Sequence, residues 1–474
     1  MAEEFKPDIC VIGAGSGGLV VASGAALMGA SVVLVEKHRM GGECLNVGCV
    51  PSKAMIAAAA MATAGRQGAA FGVRFAPPVI DFAAVQAHVK NVIEQIAPND
   101  SVARYRGLGV EVVEGAARFT GPRTIAVAGR MIRARRFVVA TGSSPLVPPI
   151  PGLAATPHMT NESVFDNAVR PDHLVVIGGG PIGLELAQAH ARLGARVTVI
   201  EMARFLPKDD PELVEVVLRS QRRDGVDLVD SARVVSVSGT VGAIVVTLER
   251  NGRREEIVGS HLLVAAGRRA NVEDLGLDRA GVAYSGKGIQ VDSRLRTTNR
   301  HVYAVGDVVG GLQFTHVASF QAGIVLRNIL FRLPARVRYD SVPWVTYTSP
   351  ELASVGLQEH AAREAVGDIR VLRWPLAEND RAVAERDTEG LIKVITDRRG
   401  RVLGAHIVAR HAGEMVLPWV MAVARRRNVR EFAGTVVPYP TVAEVGKRAA
   451  GSFFLPALSS ERTRRIVRFL ARFG

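Results

Sequence analysis

Cysteine is nearly absent: the chain has three in 474 residues. So few cysteines argue against a secreted scaffold stapled by disulfides and suit a compartment that keeps thiols reduced. Long apolar runs are missing too. No stretch of about 18 residues escapes a glycine break or a charge, so no membrane-spanning helix is expected. Met1–Lys6 carries no basic n-region and leads straight into an apolar strand, so no signal peptide is expected and the cytoplasm is the expected location. Low-complexity segments and long linkers are absent. Aromatic residues make up only 5% of the chain. The basic clusters Arg133–Arg136, Arg425–Arg427 and Arg462–Arg465 have no stacking platform interleaved with them. The net charge of +14 is therefore not read as a nucleic-acid surface, and no nucleic-acid partner is expected.

What is present is glycine in a repeated pattern. Asp8–Ile12 is a short apolar strand entering Gly13-x-Gly15-x-x-Gly18, followed by a helix over 19–28 and a strand over 31–35 that ends in Glu36. The pattern returns as a strand over 173–177, Gly178-x-Gly180-x-x-Gly183, a helix over 182–193 and a strand over 196–200 that ends in Glu201. The interval from first glycine to terminal glutamate is the same in both copies. One such loop is weak evidence; two, each between strand and helix, point to two dinucleotide-binding units. The glycines let a pyrophosphate approach a helix N-terminus, and the carboxylate takes ribose hydroxyls.

Two of the three cysteines follow the first unit directly. Cys44 and Cys49 have four residues between them, in Gly42-Glu43-Cys44-Leu45-Asn46-Val47-Gly48-Cys49-Val50-Pro51-Ser52-Lys53. Thiols this close can close a small disulfide ring. Pro51 suits a first helical position, and the Ala-rich run after it favours a helix. Cys49 is then at a helix N-terminus, where the dipole and Lys53 favour a thiolate. The bland alternative is a pair of inert, buried cysteines. Cys10, inside the first strand, is expected in the core. Because the first unit is contiguous with the thiols, it is assigned FAD, and the second a nicotinamide nucleotide. Glu201 bonds a ribose diol and repels a 2′-phosphate, which favours NADH over NADPH, with Arg204 close by as a counterweight.

The segment Gly42–Lys53 resembles the active-site signature of the class I flavin disulfide reductases, which include dihydrolipoamide dehydrogenase, glutathione reductase and mercuric reductase. The likeness runs from about residue 7 to about residue 452. It implies an α/β fold: two Rossmann-like dinucleotide-binding domains, for FAD and NAD, plus an α+β C-terminal dimerisation domain. The implied partition is 1–152 and 270–335 for FAD, 153–269 for NAD(P), 336–460 for the interface and 461–474 for a basic tail. By the same likeness Cys49 is the flavin-proximal thiol and Cys44 the interchange thiol, with Lys53 and Glu185 near flavin and nicotinamide. Ala140-Thr141-Gly142-Ser143 resembles the close of the first FAD segment, and Ala266-Gly267-Arg268 the exit from the NAD domain. Asp307 matches the residue that accepts ribityl hydroxyls. His316 is expected as a helix-terminal partner near the flavin rather than as a base. The protein is expected to act as a homodimer, and no resident metal site is expected.

Two departures stand out. Where the disulfide reductases carry His-Pro-Thr-x-x-Glu, this chain reads Tyr439-Pro440-Thr441-Val442-Ala443-Glu444. A phenol with a pKa near 10 is a poor base at neutral pH, which argues against ordinary turnover of dihydrolipoamide or glutathione disulfide. Mercuric reductases also carry tyrosine here, yet they deliver the metal through a C-terminal cysteine pair, which residues 461–474 lack. Expected acceptors are therefore a small-molecule disulfide or a soft metal ion, with a diaphorase-like NADH:quinone or dye reductase as the alternative. A true dihydrolipoamide dehydrogenase ranks lower, and a non-catalytic basic binding protein last. In the tail, Ile466, Val467, Leu470 and Phe473 share one helical face, with Arg464, Arg465, Arg468 and Arg472 mostly off it. That pattern suits either a helix docked on the interface domain or weak peripheral contact with a membrane.

Overall fold

The computed structural model describes residues 4–473. The beginning of the expected first domain, residues 1–3, and Gly474 of the tail lie outside the described residues. The chain forms two compact units, one of residues 4–203 and 229–338, the other of 204–228 and 339–473.

The first unit is built on a five-stranded parallel sheet. Its order is Val302–Ala304, Arg136–Val139, Ile9–Ile12, Val32–Glu36 and Val110–Glu114. The central strands are apolar throughout because both faces are covered. Ile9 and Val11 pack with the helices Ser16–Leu27 and Thr315–Leu330 on one side. Cys10 and Ile12 pack on the other with Phe119, Ile125 and Ile132 of an antiparallel sheet. Cys10 is fully buried, as expected, and that burial pushes its thiol far above the usual range. A second parallel sheet sets His261–Val264, His173–Ile177 and Arg196–Ile200 side by side. The two nucleotide helices begin earlier than the sequence pattern predicts, at Ser16 and Pro181. Gly15 and Gly180 cap them with the same extended backbone.

The helix carrying Cys49 spans Cys49–Gly68. It starts on Cys49 itself, so Pro51 lies inside the first turn rather than at its first position; its missing N–H costs nothing there. Contrary to the sequence reading, residues 42–66 are long and apolar enough to cross a membrane by length and composition alone. Alanine gives this stretch its apolar character. Ala54, Met55, Ala59 and Ala62 are buried against the rest of the unit.

The second unit holds a five-stranded antiparallel sheet in the order Pro343–Thr346, Glu351–Gly356, Val402–Ala409, Leu391–Asp397, Ile369–Pro375. Helices Leu417–Ala424 and Glu444–Ser452 contribute to its core through Trp419, Ala422, Val445 and Ala449. The helix Pro211–Arg223 belongs to this unit. It is tied in by the buried Lys393, whose Nζ reaches Asp210 at 2.7 Å, Glu359 at 2.9 Å and Glu212 at 3.2 Å. The last helix, Glu461–Leu470, has no buried residue. The expectation that it docks on this unit is therefore corrected. Ser460 caps it by accepting from the Thr463 N–H, so local bonding sustains it while its apolar face meets solvent.

Candidate active site

Both glycine loops make the same cradle. Gly13 and Gly178 have φ of +106° and +116°, and a Cβ on either would strike the carbonyl of Ala140 or Ala265. A Cβ on Gly18 or Gly183 would strike the carbonyl of the loop's own first glycine. The middle glycines are open: nothing lies within 4 Å of a Cβ on Gly180, and only Gly42 Cα approaches Gly15, at 3.9 Å. Backbone N–H groups at each helix start are thus accessible to a pyrophosphate. The terminal glutamates are held alike. Glu36 accepts from the Ala14 N–H at 2.6 Å and the His38 N–H at 2.8 Å. Glu201 accepts from the Gly179 N–H at 2.7 Å and the Ala203 N–H at 2.9 Å. Each carboxylate is oriented from behind, as a ribose clamp requires. Arg204 donates to the Pro207 carbonyl at 2.6 Å.

The thiol segment leans on the first loop. A Cβ on Gly42 would come within 2.6 Å of Gly15 Cα, so only glycine permits this approach. Cys44 sits in the short helix Gly42–Asn46, and Cys49 opens the next helix. Both are free thiols, hydrogen-bonded to each other. That bond polarises the pair. Cys49 is pulled down to about 6, chiefly by the hydrogen bond from Cys44, with help from Thr315 and the Lys53 charge. Cys44 is pushed above the usual thiol range by the same bond and by burial. Thr315 Oγ1 lies 3.4 Å from Cys49 Sγ at the start of the helix Thr315–Leu330. Lys53 favours the Cys49 thiolate as expected, but less than Cys44 and Thr315 do. Lys53 Nζ bonds Glu185 Oε2 at 2.8 Å, and the Glu185 charge opposes its effect on Cys49.

A second polar cluster lies in the same unit. Arg268 Nη2 donates to Glu43 Oε2, and its Nε donates to Ser143 Oγ at 2.9 Å. Ser143 Oγ donates to Asp307 Oδ2 at 2.6 Å. Arg268 Nε also lies 3.7 Å from Asp307 Oδ2. Burial pushes the Glu43 carboxyl up, and Arg268 and Asn161 oppose this. The strands Ser143–Pro145 and Arg268–Ala270 pair antiparallel. Thr141 Oγ1 donates to the Asn271 carbonyl, and the Asn271 N–H donates to the Gly142 carbonyl. Gly267 accepts from the Leu146 N–H through its carbonyl, with φ at +123°. His316 is the second residue of its helix, and its ring stacks on Phe314 at 5.3 Å. Sequence reasoning missed Glu43, Arg268 and Thr315 as site residues. Their only local signals were a charge beside Gly42 and Gly267, and a threonine opening a helix.

Tyr439 and Glu444 belong to the second unit. Tyr439 is 68% exposed and donates its hydroxyl to Asp380 Oδ2 at 2.7 Å. That bond, with the Asp380 charge, raises the phenol further above its ordinary value. Glu444 opens its helix and pairs with Arg448 at 2.9 Å, so its carboxylate has a cation partner. Asp380 was also missed as a site residue.

A thiol pair set against one of two glycine-loop cradles defines a flavin- and nicotinamide-linked thiol oxidoreductase. Comparison with known proteins agrees. The pattern of pyridine nucleotide-disulphide oxidoreductases matches residues 7–322, and that of their dimerisation domain matches 342–450. The chain is similar to a mercuric reductase of Bacillus cereus, 34% identical over 95% of this chain and 72% of that one. It is similar to a dihydrolipoyl dehydrogenase of Geobacillus stearothermophilus, 33% identical over 94% of this chain and 96% of that one. It also resembles the solved structure of a Cu(II) complex of RclA, an HOCl-induced flavoprotein disulfide reductase from Escherichia coli. There the TM-score is 0.85 at 28% identity, covering 94% of this chain and 99% of that one. The chain belongs to the class I pyridine nucleotide-disulphide oxidoreductase family. It is an FAD- and NAD(H)-dependent oxidoreductase with two Rossmann-like domains and a dimerisation domain.

Proposed function

We propose that the protein passes two electrons from NADH through FAD to the Cys44–Cys49 pair and on to a soft metal ion, with a small disulfide as the lesser acceptor. The observation that carries this is the Tyr439–Asp380 hydrogen bond. Reducing a disulfide releases two thiolates that each need a proton. Reducing a thiolate-bound metal ion needs none. A phenol whose proton is held by Asp380 suits the second case and serves the first poorly. Soft metal ions also favour thiolate ligands. The relatives include mercuric reductases and a protein solved with Cu(II).

Bound FAD would supply a two-electron carrier between nicotinamide and thiols; Gly13, Gly15, Gly18, Glu36 and Asp307 would hold it. Gly178, Gly180, Gly183 and Glu201 would hold the nicotinamide nucleotide, with NADH preferred. Cys49 keeps a thiolate at neutral pH, while Cys44 keeps the proton and is the thiol that meets the acceptor. Thr315 donates to the Cys49 thiolate, and Lys53, anchored by Glu185, adds a positive charge beside it. Tyr439 would reach the thiols from a second subunit, which makes the homodimer the working form. Sedimentation showing a fully active monomer would defeat that point. The domain boundaries at 152, 269 and 335, and a cytoplasmic location, are part of this proposal.

The alternative is a diaphorase-like NADH:quinone or dye reductase in which the thiols are secondary. That reading keeps both nucleotide cradles and leaves the thiols out of the electron path. An acceptor screen on purified, flavin-loaded protein separates the readings. It uses Hg(II), Cu(II), lipoamide, glutathione disulfide and a quinone. We expect metal-dependent NADH oxidation that is lost in Cys44→Ser. Quinone turnover unaffected by Cys44→Ser, with no metal-dependent rate, overturns the proposal.

A further inference from the structure

Among the described residues the final helix buries none of its side chains, and its first turn is tied to the preceding segment by Thr463 Oγ1, which donates to the Ala457 carbonyl at 2.7 Å. Ile466, Val467, Phe469, Leu470 and Phe473 are each between 49% and 75% exposed. At 100° per residue, Ile466, Val467, Leu470 and Phe473 fall on one side, and Phe469 lies at its edge with its ring against Phe473 at 5.3 Å. Arg464, Arg465, Arg468 and Arg472 fall on the opposite side. The helix's acid, Glu461, pairs with Arg468 at 2.8 Å and lies 3.8 Å from Arg465. Arg462 falls on the same side as Phe473, so the apolar face is confined to the later turns; the other face is cationic, and the helix is capped by its own Ser460.

We propose that Glu461–Leu470 is a peripheral anchor for anionic phospholipid bilayers. An interfacial helix needs an apolar face to enter the acyl boundary and a cationic face toward lipid phosphates, and this segment has both. Arginine stems can lie along the boundary while their guanidinium groups reach the phosphates. A second copy of the chain is the poorer occupant. Each copy carries a net charge of +14, so a cationic helix is repelled by its twin and drawn to an anionic surface. The matched dimerisation domain also ends at residue 450, before this helix begins. One short helix binds weakly, but a dimer presents two. The inference does not depend on which acceptor the thiols serve.

Full-length, flavin-loaded protein is co-sedimented with vesicles of phosphatidylcholine alone and of phosphatidylcholine mixed with phosphatidylglycerol. It should pellet with the mixed vesicles at low salt and be released at high salt. Replacing Arg464, Arg465, Arg468 and Arg472 by Gln should weaken partitioning by about three orders of magnitude. Ile466→Ser with Leu470→Ser should weaken it with the charge kept. Removing residues after Ser460 should abolish binding while flavin content and melting temperature hold. No pelleting at low salt overturns the proposal, as does equal binding to neutral vesicles or binding that survives the truncation. Dissociation of the dimer on truncation, without vesicle binding, assigns the face to a second copy instead.

Discussion

Tyr439 donates its phenolic hydrogen to Asp380 Oδ2 at 2.7 Å. On the proposed reading Tyr439 stands where disulfide reductases keep a proton-shuttling imidazole, and its own proton is committed to Asp380. Tyr439→His restores an imidazole with a pKa near 6.5. It should raise lipoamide or glutathione disulfide turnover by about a hundredfold, the lower end of what general acid–base catalysis contributes. The check is kcat for each disulfide beside metal-dependent NADH oxidation, which should not rise. Equal disulfide turnover before and after the substitution would show that the phenol is not what limits it.

The Cys49 thiol, at about 6, should react with iodoacetamide at a rate that climbs through that pH and levels off above it. Its largest support is the hydrogen bond from Cys44, followed by Thr315 among the favourable contacts. Cys44→Ala should move the midpoint up furthest, toward the ordinary thiol value. Thr315→Ala should move it less. Alkylation rates across pH decide this, and an unshifted midpoint in Cys44→Ala contradicts the polarised pair.

Lys53 is about one-third exposed, while Glu185 is nearly buried, at 37% and 7% of their side chains. Lys53→Met leaves a buried carboxylate without its cation and should cost about 1–3 kcal/mol of stability. Adding Glu185→Gln should recover much of that loss. Urea unfolding of the single and double variants measures the coupling, and strictly additive losses would deny it.

Glu201 is oriented by the Gly179 and Ala203 N–H groups. It should favour NADH over NADPH by about one to two orders of magnitude in kcat/KM. Glu201→Ala should narrow that ratio to within a few-fold. An NADPH preference in the unmodified enzyme would mean that Arg204 or another cation dominates.

The parts legible in the sequence are those encoded within one supersecondary unit. Gly18 and Glu36, and their counterparts Gly183 and Glu201, act through neighbours a few residues or one βαβ unit away. Their spacing alone states the geometry. Contacts that join distant segments leave no such trace. Thr315 meets Cys49 across 266 positions, and Arg268 meets Glu43 across 225. Nothing near Thr315 in the chain announces a thiolate partner. Residues 211–223 fall within the span 153–269 expected for the nucleotide domain but pack in the second unit, because no local pattern announces Lys393 collecting Asp210 and Glu212. In the tail, Glu461–Leu470 is helical, with its apolar residues mostly to one side. Amphipathicity states that a face wants cover, and says nothing of whether the chain supplies it.

The most direct test of the account is whether the cysteine pair lies in the electron path. Anaerobic reduction of the flavin-loaded enzyme by one equivalent of NADH is followed in a stopped-flow spectrophotometer at long wavelength, where a thiolate beside an oxidised flavin absorbs. The account predicts that NADH brings up the band in the unmodified enzyme as electrons pass from flavin to disulfide, that Cys44→Ser shows the band before NADH is added and loses it as its flavin is reduced, and that Cys49→Ser shows no band at any stage. No band in the NADH-treated unmodified enzyme, or a band in oxidised Cys49→Ser with none in oxidised Cys44→Ser, would contradict it.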